Sequence, residues 1–335
     1  MRLSRLDPSH AAGVGRRRGR DAMILCVGPT PTAQRTMVFD RLEWGEVNRT
    51  PRVFDAASGK SINVARVLRA LGEAVVATGF LGGDRGAWIR RELSAVGIGH
   101  DFVEVETPTR LCVTVVASRS STELIEESAA VESESYERLL EKSLRLARGA
   151  RLVVASGSLT PGGPTDFYGR LVREMSRIGV ECIVDAAGEP LKRAVEAGPL
   201  LVKPNRSELA AAVGEAGIDV EAGARRLAAQ GARSVVVSLG PAGAIGIRGA
   251  ERVVVEAPQV EAVNPIGSGD AMAAGLAAGI VRGLSFADAC RLGVACGTAN
   301  AMTLTAGTVQ PEQVERLFAG LAAGEGAPAL GDANG

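Results

Sequence analysis

The sequence predicts an α/β fold, a mostly parallel sheet covered by helices on both faces, with a small β-rich flap standing off it. Three observations predict it. From Met23 onward, short apolar runs alternate with amphipathic stretches, so strand and helix repeat along most of the length. Two extended segments break that rhythm and form the flap. No repeat of 20 to 50 residues and no low-complexity linker divides the chain, which reads as one domain plus a lid. At 335 residues and 46% apolar, it can fill a sizeable core.

Residues 1–22 hold six arginines, Arg16, Arg17, Arg18 and Arg20 among them, and no apolar period. They read as an unstructured extension produced by a mis-called start codon. A transit peptide would be Arg-rich and acid-poor, whereas this segment carries Asp7 and Asp21 and has no clear amphipathic stripe. The folded domain is expected over 23–320 and a disordered tail over 321–335. Strands are expected at Ile24 to Val27, Val75 to Phe80, Leu111 to Ala117, Leu152 to Ala155, Ile183 to Asp185, Leu200 to Lys203, Val235 to Ser238 and Val253 to Val255. Helices are expected at Ile62 to Leu71, Ala87 to Val96, Ser135 to Ala147, Thr165 to Ile178, Arg206 to Val213, Val220 to Ala229, Asp270 to Arg282 and Phe286 to Thr303. Met37 to Val53 reads as extended with polar turns around Gly45 and Asn48, and Thr109 to Glu127 as a second extended pair. Together they place the lid at about 36–55 and 109–127.

Composition removes whole classes of function. Lys plus Arg equals Asp plus Glu at 38 each, so no global field would hold nucleic acid or an anionic membrane. The longest apolar stretch, Ala271 to Val281, is too short to cross a bilayer. Five cysteines form no CxxC pair and point to neither a disulfide framework nor a zinc site; a reduced cytoplasm fits best. The only histidines, His10 and His100, leave no basis for a Ser/His/Asp or Cys/His hydrolase or for His-rich zinc catalysis. Chemistry must then rest on carboxylates, cations, backbone amides and a bound metal.

The strongest local signal is Asn264-Pro265-Ile266-Gly267-Ser268-Gly269-Asp270, followed directly by a helical run. Two glycines let the backbone turn tightly, and the helix start presents unpaired N–H groups with a positive dipole end. That arrangement binds an anion. A carboxylate at its rim would repel a phosphate, yet it makes sense if Asp270 takes a proton from a hydroxyl while the amides of Gly267, Ser268 and Gly269 stabilise a phosphoryl group in transfer. The alternative from this segment alone is that Asp270 caps the helix.

A second constellation, Lys203-Pro204-Asn205-Arg206-Ser207-Glu208, follows a buried-looking strand. Asn205 and Glu208 are hard oxygen donors suited to Mg²⁺ or its waters, and Asp185 ends a neighbouring strand in an equivalent place. The competing reading is a Pro-marked turn with Glu208 in the first helical turn. A third cluster, Ser58-Gly59-Lys60-Ser61-Ile62-Asn63, opens a helix. It is not a P-loop, because GxxxxGK[ST] needs a glycine where Phe54 stands. Lys60 and Asn63 suit a sugar hydroxyl or phosphate; equally, Ser58 would cap the helix and Lys60 would be solvated. Arg110 begins an apolar strand, where its guanidinium can clamp a phosphate or simply be solvated. The turns Gly82-Gly83-Asp84 and Ser238-Leu239-Gly240-Pro241-Ala242-Gly243 are structural, or in the second case let a nucleotide approach the backbone.

Taken in order, these segments resemble the PfkB, or ribokinase-like, carbohydrate kinases over about residues 23–320. The two family signatures look like GFLGGDRGAWIRRELSAVGI and NPIGSGDAMAAG, and GEVNR, SGKSINVARVLRALG, TPTRLCVTV, TELIEES, SGSLTPG and KPNRSEL support the 1-phosphofructokinase and tagatose-6-phosphate kinase branch. The resemblance implies a Rossmann-type α/β/α sandwich with a β-sheet lid that pairs with another subunit's lid in a homodimer. It implies ATP-dependent, Mg²⁺-requiring phosphorylation of a hexose phosphate, with Asp270 as base and Gly267, Ser268 and Gly269 as anion hole. Gln34, Gly59, Lys60, Asn63 and Arg110 would hold the sugar phosphate. Lys203, Asn205, Ser238, Gly240, Gly243 and Asn300 would border ATP, and Asp185 and Glu208 would organise the metal.

Two departures fall on the sugar side. Where the family reads N-P-A-x-D, this chain reads Thr30-Pro31-Thr32-Ala33-Gln34, and the usual G-G-K-G is Ser58-Gly59-Lys60-Ser61. A carboxylate accepts two hydroxyl hydrogen bonds, whereas Gln34 offers one acceptor and one donor group. A kinase for an unphosphorylated sugar or nucleoside, or a non-catalytic sugar-phosphate or nucleotide sensor, are therefore the competing readings.

Overall fold

A computed structural model describes residues 23–117 and 120–323. The extension expected at 1–22 and most of the tail expected from 321 lie outside the described residues. Residues 321–323, however, close a helix rather than begin a tail.

In chain order the first third comprises β1 (Met23–Val27), β2 (Thr32–Phe39), β3 (Val53–Ser58), α1 (Lys60–Ala70), β4 (Val75–Thr78), β5 (Phe80–Leu81), α2 (Gly83–Ala95), β6 (Gly99–His100), β7 (Val103–Glu104), β8 (Arg110–Ala117) and β9 (Ser120–Ile125). Then follow α3 (Ser133–Ala147), β10 (Ala150–Ser156), α4 (Phe167–Arg177), β11 (Glu181–Asp185), α5 (Gly188–Glu196), β12 (Leu201–Val202), α6 (Arg206–Val213), α7 (Val220–Ala229) and β13 (Val235–Ser238). The chain closes with β14 (Ala244–Arg248), β15 (Glu251–Val255), α8 (Ser268–Arg282), α9 (Phe286–Ala301) and α10 (Pro311–Ala323).

The main sheet runs in the order β15-β14-β13-β12-β11-β10-β1-β4-β6, parallel from β13 to β6 and finished by an antiparallel hairpin, β14 with β15. Its alternation builds two cores. Ile24 and Cys26 face one layer with α1, α2, α8, α9 and α10, whereas Leu25 and Val27 face the other with α3 to α7. The chain order reverses beside β1, whose neighbours are β4 and β10. Ligand clefts form outside the carboxyl ends of strands at such a reversal.

A second sheet, β3-β2-β8-β9, stands apart from the main one. β2 and β8 pair parallel in its centre, and β3 and β9 flank them antiparallel. The extended reading of Met37 to Val53 is corrected here. β2 begins earlier, and residues 40–52 form a loop that Asn48 ties by hydrogen bonds to the backbone of Glu43. The expected strand from Val75 to Phe80 also divides at Gly79, which packs so closely that a Cβ would come 1.9 Å from Gly28 O. β14, α5 and α10 were absent from the sequence reading.

α8 is buried on nearly every side and consists largely of alanine and glycine. At Gly275 a Cβ would come 2.6 Å from Leu292 O, so its absence is what lets α9 pack directly against α8. No helix among the described residues is long and apolar enough to cross a membrane.

Candidate active site

The carboxyl ends of β1, β10, β11, β12 and β13 open into a cleft of about 720 Å³, whose opposite wall is the second sheet. Every site residue expected from the sequence lines it except Asn300.

Asp270 sits in the first turn of α8, 6% exposed. It does not cap the helix. The cap position is Gly267, at φ 83, and no side chain bonds to the free amides there. The Ser268 N–H donates to Pro265 O at 3.1 Å, so it is not one of the open donors expected of it. Among the described residues the N–H groups of Gly267, Gly269 and Asp270 have no acceptor. Three open amides at a helix start are a geometry suited to binding an anion. Burial raises the Asp270 carboxyl from its ordinary 3.8 to about 6; the Lys60 charge pulls it back, Asp185 pushes it up, and the Asn63 hydrogen bond and Lys203 lower it. A carboxylate with that pKa is ionised at neutral pH and still basic enough to take a proton from a hydroxyl.

Asp185 ends β11 nearly enclosed, between Lys203 Nζ at 3.3 Å and Lys60 Nζ at 3.5 Å. Burial pushes its carboxyl up, but the two ammonium groups outweigh that and hold it below the ordinary aspartate range. Lys60 is held protonated, first by Asp185 against the cost of burial and then by Asp270 and Glu208. Lys203 also approaches α8: a Cβ built on Gly269 would lie 3.5 Å from its Nζ. Two cations thus flank Asp185, and one of them, Lys203, also stands beside the open amides, an arrangement suited to phosphate groups.

Asn205 and Glu208 form the capping box of α6. Asn205 Oδ1 accepts from Glu208 N at 2.9 Å, and Glu208 Oε2 accepts from Asn205 N at 2.8 Å. Each is therefore half committed to holding the helix start. Glu208 Oε1 is turned toward Lys60 Nζ at 4.0 Å, and Asp185 Oδ1 is buried without a hydrogen bond. No group of three or more His, Cys, Asp or Glu side chains capable of holding a metal exists among the described residues. Asp185 Oδ1 and Glu208 Oε1 both face Lys60 Nζ, at 3.5 and 4.0 Å, and two carboxylates turned to one point of the cleft are the donor type that Mg²⁺ takes beside water and nucleotide phosphates.

On the wall formed by the second sheet, Gln34 and Cys112 stand in register on β2 and β8, with Ile125 beyond them on β9. Gln34 is buried, and its Nε2 donates to Thr114 Oγ1 at 2.7 Å. Arg110 reaches Thr30 O and Glu126 O only at 3.4 Å, and its buried Nε has no partner. Gly59 is the cap of α1 at φ 100, which frees Ser58 from the capping role weighed for it. Ser58 instead donates to Asn63 Oδ1 at 2.9 Å, and Asn63 Nδ2 donates to Asp270 Oδ2 at 2.8 Å.

Ser238, Gly240 and Gly243 line the far end of the cleft. Asn300, expected beside them, is fully buried on α9. Its Nδ2 donates to Ile266 O at 2.9 Å and its Oδ1 accepts from Gly307 N at 2.9 Å, so it splints the α8 entry loop from behind.

Residues 21–313 match the pfkB family of carbohydrate kinases. The chain belongs to this family. This carbohydrate kinase is therefore a phosphotransferase, and sugar kinases of the family use ATP. It is 38% identical over 294 residues to a 1-phosphofructokinase of Haloferax volcanii, covering 87% of this chain and 94% of that one. It is 29% identical over 302 residues to a tagatose-6-phosphate kinase of Staphylococcus epidermidis, covering 88% and 97%. The phosphofructokinase-2 of Escherichia coli, solved with substrates and products, matches with a TM-score of 0.84 at 28% identity, covering 90% of this chain and 99% of that one.

Several cleft residues of this kinase escaped the sequence reading. Glu123 and Ile125 face the cleft from β9, and Thr298 and Ala301 reach it from α9. Glu123 was legible only as part of the stretch TELIEES. The α9 residues carry no local signal, because small residues on a buried helix look like core.

Proposed function

We propose that the protein transfers the γ-phosphoryl group of ATP to a hydroxyl of a hexose phosphate of the fructose 1-phosphate or tagatose 6-phosphate class. One observation carries this reading: a buried carboxylate, Asp270, stands beside open helix-start amides, and an underpartnered arginine, Arg110, faces the same cleft. A single phosphate needs the first group of donors only. A substrate with a second phosphate gives Arg110 an occupant.

The ATP phosphates lie against the amides of Gly267, Gly269 and Asp270 and against Lys203, with Asn205, Ser238, Gly240 and Gly243 along the nucleotide. Asp185 and Glu208 would hold Mg²⁺, which would neutralise phosphate charge and orient the chain of phosphates. The acceptor sugar lies under the second sheet, held by Gln34, Gly59, Asn63 and Lys60, its phosphate on Arg110. Asp270 takes the proton of the attacking hydroxyl as the new O–P bond forms. The bond from γ-phosphorus to the bridging oxygen breaks, and ADP leaves with that oxygen.

A second reading, a kinase for an unphosphorylated sugar or nucleoside, draws on Gln34, whose amide is committed to Thr114 where the family has a carboxylate. ATP consumption against a panel of hexose phosphates, free sugars and nucleosides tests both. Turnover confined to hexose phosphates supports the first reading and turnover on neutral sugars the second. Silence across the panel despite ATP binding favours a sensor.

The enzyme is proposed to act in the cytoplasm as a homodimer. Phe54 and Leu124 are 41% and 53% exposed on a sheet whose outer strands β3 and β9 each leave one edge open among the described residues. Light scattering of Phe54→Glu and Leu124→Glu would show monomers if this sheet is the interface.

A further inference from the structure

The base of this kinase is gripped on one side only. Asp270 Oδ2 accepts from Asn63 Nδ2 at 2.8 Å, while Oδ1 has no partner among the described residues. The anchored oxygen fixes rotation about the Cβ–Cγ bond and so decides where the free oxygen points. The groups that surround Asp270 by charge are Lys60 on α1, Asp185 at the end of β11 and Lys203 after β12, but none of these hydrogen-bonds to it. Its orientation therefore depends on Asn63.

An amide serves this purpose only in one orientation. A carboxylate accepts and cannot donate, so the NH₂ end of Asn63 must face Asp270 and the carbonyl end must face away. That carbonyl is buried, and it accepts from Ser58 Oγ at 2.9 Å. Behind it, Gly307 packs so closely that a Cβ would lie 2.8 Å from Oδ1 and 2.7 Å from the Asn63 Cα. The amide is thus boxed in by one hydroxyl and one backbone segment. We propose that Ser58 is a positioning residue, whose hydroxyl holds the Asn63 amide so that Asn63 can aim the Asp270 carboxylate at the acceptor hydroxyl. This rests on the reading of Asp270 as base. It also gives a role to Ser58 at the place where the resembling kinases usually carry glycine.

The test is Ser58→Ala and Ser58→Cys, assayed with whichever hexose phosphate supports wild-type turnover, with Ser58→Thr as the variant that keeps the hydroxyl. Cysteine preserves the volume but is a weak donor. Loss of one buried hydrogen bond should lower kcat roughly fivefold in Ala and Cys, with KM for ATP unchanged, and Thr should recover most of it. Unchanged kcat in Cys would overturn the proposal, and so would a raised KM at constant kcat, which would make Ser58 a sugar contact. A crystal structure of Ser58→Ala supplies a readout free of substrate: the Asn63 amide should turn from Asp270, and an unaltered bond would equally overturn the idea. Asp270→Asn separates the two levels. If it keeps turnover, the base assignment itself fails; if it is inactive while Ser58→Cys matches wild type, the base stands and only the positioning role is lost.

Discussion

Lys203 Nζ lies 3.3 Å from Asp185 Oδ2, and both side chains are almost entirely withdrawn from solvent, at 4% and 2% exposure. A pair so enclosed is costly to assemble and costlier to break. Lys203→Met should therefore destabilise the protein by roughly 3 kcal/mol at neutral pH, measured by urea denaturation. Because Asp185 titrates below its ordinary range in the folded state, the stability it contributes is present above the unfolded pKa and lost as pH falls. The gap between variant and wild type should accordingly narrow toward acid pH. Equal stability at pH 7 would mean that Lys60 alone satisfies the carboxylate.

Asp270→Asn should abolish most turnover, lowering kcat roughly 10²- to 10⁴-fold with ATP affinity nearly intact. Its stability should move the other way. The native carboxyl has a pKa of about 6 against an ordinary 3.8, so holding it ionised opposes folding above that pKa. The amide should raise stability by roughly 2–3 kcal/mol at pH 7.5, a gain that disappears below about pH 4. A variant less stable than wild type at pH 7.5 would contradict the buried, strained ionisation described above.

The pH profile of kcat/KM should show an acid limb near 6, where Asp270 loses its basic form. Activity should fall about tenfold per pH unit beneath it. A limb near 4 would mean that another group limits the rate.

Arg110→Ala should raise KM for a hexose phosphate by roughly 10- to 100-fold while changing kcat little, because a charge-assisted bond to phosphate is lost. A neutral sugar should be indifferent to the same change. If the variant binds the phosphosugar normally, the open Arg110 Nε has another purpose.

The strand and helix rhythm, the parallel sheet and the position of Asp270 were legible because each rests on local pattern. Pro265-Ile266-Gly267-Ser268-Gly269 announces a turn and helix start whatever the rest of the chain does. β14 escaped because Ala244 to Arg248 is short and interrupted by Gly246, against which Phe286 and Cys290 pack. α10 had its signals, Pro311 at its start and Val314, Leu317, Phe318 and Leu321 at helical spacing, and they went unread. The contacts that build the site were beyond local reach. Asn63 and Asp270 are 207 residues apart, and no spacing rule joins them. Asn300 shows the converse error, a polar residue near the right motif that braces a loop from inside the core.

The crowded Ala- and Gly-built α8 and the open second sheet give the two halves of the reaction unequal freedom to change. A methyl group added at Gly275 collides with a neighbouring helix backbone, and anything that displaces α8 displaces Asp270, the proposed base. Residues such as Glu123 and Ile125 project into empty cleft and can be exchanged without disturbing the phosphoryl-transfer groups. New acceptor preferences should therefore arise by substitution on β8 and β9, and libraries built to retarget this kinase should leave residues 267–282 alone.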